Sequence, residues 1–197
     1  MSYTLHSRWS SLAELVQAYA QEDGSLSLDL GCGFVKPAGF IGLDDLTGSG
    51  AQLPSEDNPP DVLLDLNREP LPFEADSCSE VRGSHFLEHS DLGHIFDQVH
   101  RVLRPGGTFF FVVPYANSAE GMFPGHSIFL TERWFHLNLH FQRLFSIVRE
   151  DFTPSPLWDQ LPAELRKLMP FEVARQVLFN VCNQMAIWAT PRKDEAA

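Results

Sequence analysis

Residues 26–33, reading LSLDLGCG, constrain the fold more than any other stretch of the chain. Leu26, Leu28 and Leu30 form a short apolar run that carries Asp29 and ends at Gly31-Cys32-Gly33. An apolar run that stops at an acid and a glycine turn predicts a buried parallel strand opening into a ligand loop. Glycine allows backbone angles that other residues avoid, and it lets the chain approach a ligand closely. In open α/β sheets ligands lie outside the carboxyl ends of the strands, where this loop falls.

The neighbouring segments repeat the plan. Residues 40–44 (FIGLD) predict a second strand ending in Asp44, and residues 61–66 (DVLLDL) a third carrying Asp65. Only residues 32–39, including Pro37, separate the first strand from the second. A helical crossover takes a dozen or more residues, so the helix expected there is shortened or lost. Residues 48–60, rich in Gly, Ser, Asp, Asn and Pro, predict a surface loop, and 70–73 a turn. A fourth strand is expected over 79–85 (SEVRGSH), although Glu80 and Arg82 weaken its apolar pattern.

Leu92, Ile95, Phe96, Val99 and Leu103 line one side of a helix over 91–103. Ser90 or Asp91 can cap it, and Pro105-Gly106-Gly107 should stop it before a central strand at 108–113 (TFFFVV). Upstream, Trp9, Leu12, Leu15, Val16 and Tyr19 recur at helical spacing, with Ser11 and Glu14 as a capping box and Gly24 as the stop. Downstream, residues 131–143 read as helix and 144–152 as strand. Residues 157–182 read as helix interrupted at Pro162 and Pro170, and 185–190 as a last strand. Strands alternating with connections, and acids at successive strand ends, give a doubly wound α/β sheet.

Charge and cysteine usage narrow the function. A formal net charge of −12 with no basic stripe argues against binding a nucleic-acid backbone. Cys32, Cys78 and Cys182 lie far apart with no CxxC, which fits reduced thiols in a cytoplasm and no zinc site. No apolar run is long enough to span a bilayer. Ala18-Tyr19-Ala20 has the look of a signal cleavage site, but Glu14 and Gln17 interrupt the apolar region that such a signal needs.

The loop also discriminates between cofactors. A dinucleotide site wants G-x-G-x-x-G opening a helix, whereas Lys36 stands at the third glycine position and the helix is too short. Carboxylates at strand ends suit a ligand with an amine, a sulfonium and a ribose but no phosphate.

With these pieces in place, the chain resembles the class I S-adenosylmethionine-dependent methyltransferases, and most closely the methyltransferase type 11 group. The matching motifs are DLGCG at 29–33, GLD at 42–44, LPF at 71–73, HFLEH at 85–89 and RVLRPGG at 101–107. The likeness covers about residues 26–114. It implies a Rossmann-like, mostly parallel seven-stranded sheet with helices on both faces and an antiparallel last strand. It further implies one domain over 1–197: an N-terminal helix (1–24), a cofactor-binding half (25–114), a substrate-side half (115–190) and a tail (191–197). The implied cofactor is S-adenosyl-L-methionine and the implied partner a small-molecule methyl acceptor, with no nucleic acid and no membrane. The resemblance sets Asp29, Gly31, Cys32 and Gly33 at the methionine part of the cofactor and Asp44 at the ribose hydroxyls. Asp65 and Leu66 flank the adenine, and His85 lies near the sulfonium. Asp45 reads as a turn former. Cys78-Ser79 departs from the family, where an apolar residue and an Asp are common.

If the acceptor must lose a proton, His85 is the first candidate base and His126 the second. His136 and His140 read as ordinary helix histidines. Tyr115, Phe123, Phe129 and Trp134 could form an aromatic acceptor wall or simply core. HFLEH also fits H-x-x-E-H, a zinc-hydrolase pattern. That chemistry needs His85 and His89 on a helix, and here Gly83-Ser84 and Ser90-Asp91 make a strand-to-helix turn, so no metal is expected. The alternative from another class is a non-catalytic S-adenosylmethionine-binding regulatory or partner subunit.

Overall fold

The computed structural model describes residues 2–47 and 58–193. Most of the loop expected over 48–60, and the end of the tail, lie outside the described residues. The strands are β1 (Thr4–Leu5), β2 (Leu26–Leu30), β3 (Ile41–Asp44), β4 (Val62–Leu63), β5 (Cys78–Ser84), β6 (Leu103–Pro114), β7 (Phe145–Pro154) and β8 (Cys182–Pro191). They form one sheet in the order β1-β4-β3-β2-β5-β6-β8-β7. Pairing is parallel from β4 through β3, β2 and β5 to β6. β8 runs antiparallel to both β6 and β7, as the resemblance implied for the last strand. Among the described residues the sheet has eight strands where seven were expected, because Thr4–Leu5 adds a short antiparallel edge to β4. Two residues carry no periodicity, so the sequence offered no signal for β1.

The helices are α1 (Leu12–Tyr19), α2 (Leu92–Val102), α3 (Glu132–Leu137), α4 (Leu139–Leu144), α5 (Pro156–Gln160), α6 (Ala163–Leu168) and α7 (Phe171–Val177). Among the described residues no helix links β2 to β3 or β4 to β5, and the lost crossover helix is thereby borne out. Ser11 caps α1, accepting from the Glu14 N–H at 3.2 Å. The helix ends at Tyr19, short of the expected stop at Gly24, which serves a following turn at φ +80°. The helix expected over 131–143 is broken at Asn138, whose side chain accepts from the Phe141 N–H at 2.9 Å and starts α4. Pro162 and Pro170 sit at the starts of α6 and α7 and not inside helices, consistent with proline's missing donor. The third strand is only two residues long because Asp65 leaves it at once for a turn, accepting from the Asn67 N–H at 3.0 Å.

One sheet face carries Leu28, Leu30, Val81, Phe109, Phe111, Ile187 and Met185, all buried. α2, α3 and α4 close over it with Phe96, Phe135 and Phe141, whose rings meet Phe109, Phe111 and Phe145 at centroid separations of 5.1–6.4 Å. The opposite face is half-exposed between β5 and β7. There Phe110 lies 4.7 Å from Trp188, and the Arg149 guanidinium covers Trp188 at 4.6 Å.

The LPF and RVLRPGG motifs have a physical link. Arg101, near the end of α2, donates to the carbonyls of Leu71 and Phe73, both at 2.7 Å, and Gln98 Oε1 accepts the Leu71 N–H at 3.1 Å. The guanidinium fork thus holds the turn before β5 against α2. A lysine reaches one carbonyl only. R101K should therefore lose about 1 kcal/mol, one net hydrogen bond, read as a lowered urea midpoint at unchanged slope.

Candidate functional site

The carboxyl ends of β4, β3, β2 and β5 lie side by side, so Asp65, Asp44, the 31–33 turn and His85 share one rim. Gly31 and Gly33 adopt φ of +65° and +50°. A Cβ on Gly31 would fall 2.4 Å from the Phe86 ring, so this position needs glycine for both its angle and its space. Asp44 reaches back across the rim. Its Oδ2 accepts the Gly33 N–H at 2.7 Å, and its Oδ1 the Leu46 N–H at 2.6 Å. Its neighbour Asp45 accepts the Thr47 N–H at 2.9 Å, the turn former the sequence suggested.

Asp29 is 3% exposed, with Arg82 Nε 3.1 Å from its Oδ1. Burial pushes its carboxyl up to about 6; Arg82 opposes that rise and the Asp44 charge adds to it. Cys32 is buried, and burial raises its thiol far above the ordinary range, so it is inert as a nucleophile. Asp65 is half-exposed, with Arg68 Nε 3.6 Å away, and Leu66 is buried in the core.

Lys36 explains how the rim survives without its helix. Its stem passes beneath Gly42, where a Cβ would meet Lys36 Cδ at 2.8 Å. Its side chain is 6% exposed, and its ammonium donates to Asp61 at 2.7 Å and to the Pro59 carbonyl at 3.0 Å. Asp61 is wholly buried and also accepts from the Gly42 N–H and Trp9 Nε1, both at 2.9 Å, and from Arg8. One carboxylate thus ties the N-terminal segment, the 31–40 link and β3 together. Neither residue was legible as a pair, since 25 positions separate them.

His85 follows β5 at φ +52°, a left-handed angle that costs a residue with a Cβ about 1–2 kcal/mol. Its backbone N–H donates to Val112 at 2.9 Å, and its Nε2 lies 3.2 Å from Gln184 Oε1 on β8. Its Nδ1 is 3.6 Å from Glu88, whose charge raises the imidazole pKa against the effect of burial. Leu87–His89 is a single 3-10 turn, not the helix that a hydrolase reading of HFLEH requires. The second candidate base, His126, lies beside His89, with ring centroids 4.8 Å apart. Glu88, His89 and His126 present ligand atoms within 4.8 Å of one another. The sequence reading missed Glu88 and Gln184 as site neighbours, although HFLEH had flagged the turn that carries Glu88.

His136 and His140 behave as the sequence suggested: His136 pairs with Glu150 at 2.9 Å and His140 with Asp97 at 3.0 Å on the surface. The four aromatics do not form one wall. Tyr115 is buried beside Arg175, which also bonds Glu132 at 2.6 Å, while Phe123 and Phe129 are exposed and Trp134 packs on Phe96. Two shallow depressions, of about 420 and 450 Å³, lie along α3 away from the glycine turn.

Residues 28–111 match the family described as "Methyltransferase domain". No curated protein sequence matches the chain. Solved structures share its fold at low identity. A SAM-dependent methyltransferase from Archaeoglobus fulgidus is 16% identical over 84% of this chain and 86% of that one, with a TM-score of 0.59. A 16S rRNA adenine-N1 methyltransferase with cosubstrate SAM, from Catenulisporales acidiphilia, is 15% identical over 93% and 91%, at 0.56. A geranyl diphosphate methyltransferase in complex with SAM is 14% identical over 90% and 83%, at 0.54.

Proposed function

We propose that the chain, whose residues 28–111 match the methyltransferase-domain family, binds S-adenosyl-L-methionine at the rim of β2, β3 and β4 and methylates a small-molecule acceptor. The observation that carries this reading is the arrangement of Asp44, Asp65 and the glycine turn on adjacent strand ends. Asp44 keeps free lone pairs beside its two backbone bonds, enough to accept the two ribose hydroxyls. Asp65 and Leu66 receive the adenine, and Asp29 with residues 31–33 the methionine end. The sulfonium supplies a methyl group open to in-line attack. The chain's part is to hold acceptor and methyl collinear and to exclude water. His85, with its ring set between Glu88 and Gln184, stands at the end of β5 to take a proton from an oxygen or nitrogen acceptor, and His126 is the second choice.

Residues 115–190 supply the acceptor side. A net charge of −12 supports a small acceptor over an RNA backbone, although one structural neighbour is an rRNA methyltransferase. Three free cysteines, all buried, support a reducing, cytoplasmic setting. No helix among the described residues is long and apolar enough to cross a membrane. Transfer of label from methyl-labelled S-adenosylmethionine, run against small alcohols, phenols, amines and thiols and against total RNA, tests the reading. Label in a small acceptor supports it, whereas label in RNA alone overturns the acceptor class.

A pH dependence follows from Asp29. Its carboxyl titrates near 6 in the folded chain against an ordinary 3.8. The folded state therefore holds this proton more readily than the unfolded chain. Asp29's contribution to stability falls as pH rises from about 4 to 6. Cofactor affinity runs the other way, because the ligand's ammonium needs the ionised acid. Binding of S-adenosylhomocysteine should weaken roughly tenfold between pH 7.5 and 5; calorimetry on wild type and D29N checks this, the variant being flat.

A further inference from the structure

We propose that Glu88, His89 and His126 form a binding site for a divalent transition-metal ion. Glu88 is 1% exposed, and neither of its carboxylate oxygens has a hydrogen-bond partner. Its nearest cationic neighbour, the His85 imidazole, stops at 3.6 Å, beyond hydrogen-bond distance, so the buried carboxylate still lacks the bonds that offset its burial. The two histidines are prepared to help. His89 Nδ1 lies 3.1 Å from the Gly125 carbonyl, and His126 Nδ1 lies 3.1 Å from the Gly121 carbonyl. A carbonyl only accepts, so each ring must carry its proton on Nδ1. That leaves Nε2 on each ring as a free lone pair, the tautomer in which metal-bound imidazoles are held by an outer partner.

The backbone brings the pieces together independently of any ion. The Glu88 carbonyl accepts from the N–H groups of Ser127 and Ile128 at 3.0 and 3.3 Å, and from Ser127 Oγ at 3.0 Å. The loop bearing His126 is thus clamped to the turn bearing Glu88 and His89. Gly121 anchors its other end, since a Cβ there would lie 2.3 Å from the Tyr115 carbonyl oxygen. Each of the three side chains offers a ligand atom within 4.8 Å of the others, and metal binding requires side-chain rotations that present Nε2 of each ring and close the set to the roughly 3.3 Å spacing of a tetrahedral shell.

Two imidazoles and one carboxylate select Zn²⁺, Fe²⁺, Co²⁺ or Mn²⁺ over Mg²⁺ and Ca²⁺, and three protein ligands leave coordination positions open. This is not the hydrolase arrangement that H-x-x-E-H suggests. His85 lies between Gln184 and Glu88 and outside the three-ligand set, and Glu88 becomes a ligand in place of a base. Resting on the methyltransferase reading, the open positions would receive an oxygen or nitrogen of the acceptor beside His85 and fix its approach.

The test needs no acceptor. Tag-free protein, dialysed against chelator and then into chelator-free buffer, is titrated with Co²⁺ by visible absorption and with Zn²⁺ by calorimetry. One equivalent should bind, with affinity reduced roughly a hundredfold or more in E88Q and in H126A and unchanged in the surface control H136A. Far-ultraviolet circular dichroism confirms that each variant is folded, and H126A carries the test if E88Q is not. No binding to wild type, or equal binding to H126A, overturns the proposal. S-adenosylhomocysteine titrated into the metal-free protein separates this result from the cofactor reading. Binding there without metal binding sinks the metal site alone.

Discussion

Replacing Asp61 with alanine is expected to cost the fold about 3–5 kcal/mol, the loss seen when one member of a buried ion pair is removed. The carboxylate is wholly buried and meets Lys36, Arg8, Trp9 and the Gly42 N–H. Its removal strands the ammonium of Lys36, whose side chain is only 6% exposed, against the Pro59 carbonyl alone. For a chain of this size each kcal/mol shifts the melting temperature by about 2–4 °C, so a fall of roughly 6–20 °C is predicted. Replacing Lys36 and Asp61 together by apolar residues of similar volume should recover much of that loss, because no charge is then left unpaired. The pH profile gives a second readout. Burial pushes the Asp61 carboxyl up, but the bonds from Lys36, Gly42, Trp9 and Arg8 outweigh it and hold the pKa below the ordinary 3.8. A depressed carboxylate stabilises above the unfolded value and loses its contribution as pH falls through the folded one. Below about pH 4 wild type should therefore lose stability by a component that the alanine variant lacks.

Asp44→Ala is expected to weaken S-adenosylhomocysteine binding by about 1.5–3 kcal/mol, the range for charge-assisted hydrogen bonds, or roughly 10- to 150-fold in Kd. The carboxylate is placed for this by its bonds to the Gly33 and Leu46 N–H groups, which fix it over the glycine turn. Those two donors lose their acceptor in the variant, so a stability loss of about 1 kcal/mol should accompany the change. Calorimetric titration alongside urea unfolding separates the two effects. Unchanged affinity would remove Asp44 from the ribose, whatever happens to stability.

The first half of the fold was legible because its signals are local. An apolar run, an acid and a glycine turn define β2 and its loop within eight residues, and the apolar stripe of α2 with its cap defines that helix, although it ends at Val102 and Pro105-Gly106-Gly107, expected to stop it, lies inside β6. The fourth strand formed over Cys78–Ser84 despite Glu80 and Arg82, since the Arg82 charge meets Asp29 instead of water. What the sequence could not show was pairing across distance. Lys36 announced only that a third glycine was missing; that its ammonium meets Asp61 depends on how residues 31–40 fold beneath Gly42. The Glu88–His126 juxtaposition likewise needs the loop after β6 to return to the turn after β5. The aromatics at 115–134 looked alike in sequence and separated in space, because apolar character does not say which core a ring joins.

The claim on which the rest depends is that the strand ends of β2, β3 and β4 cradle one nucleoside. A crystal structure of the protein with S-adenosylhomocysteine tests it most directly. The expected result places the ribose hydroxyls within hydrogen-bond distance of Asp44, the adenine beside Asp65 and Leu66, and the sulfur facing His85. A nucleoside bound elsewhere, with Asp44 out of its reach, would contradict the account.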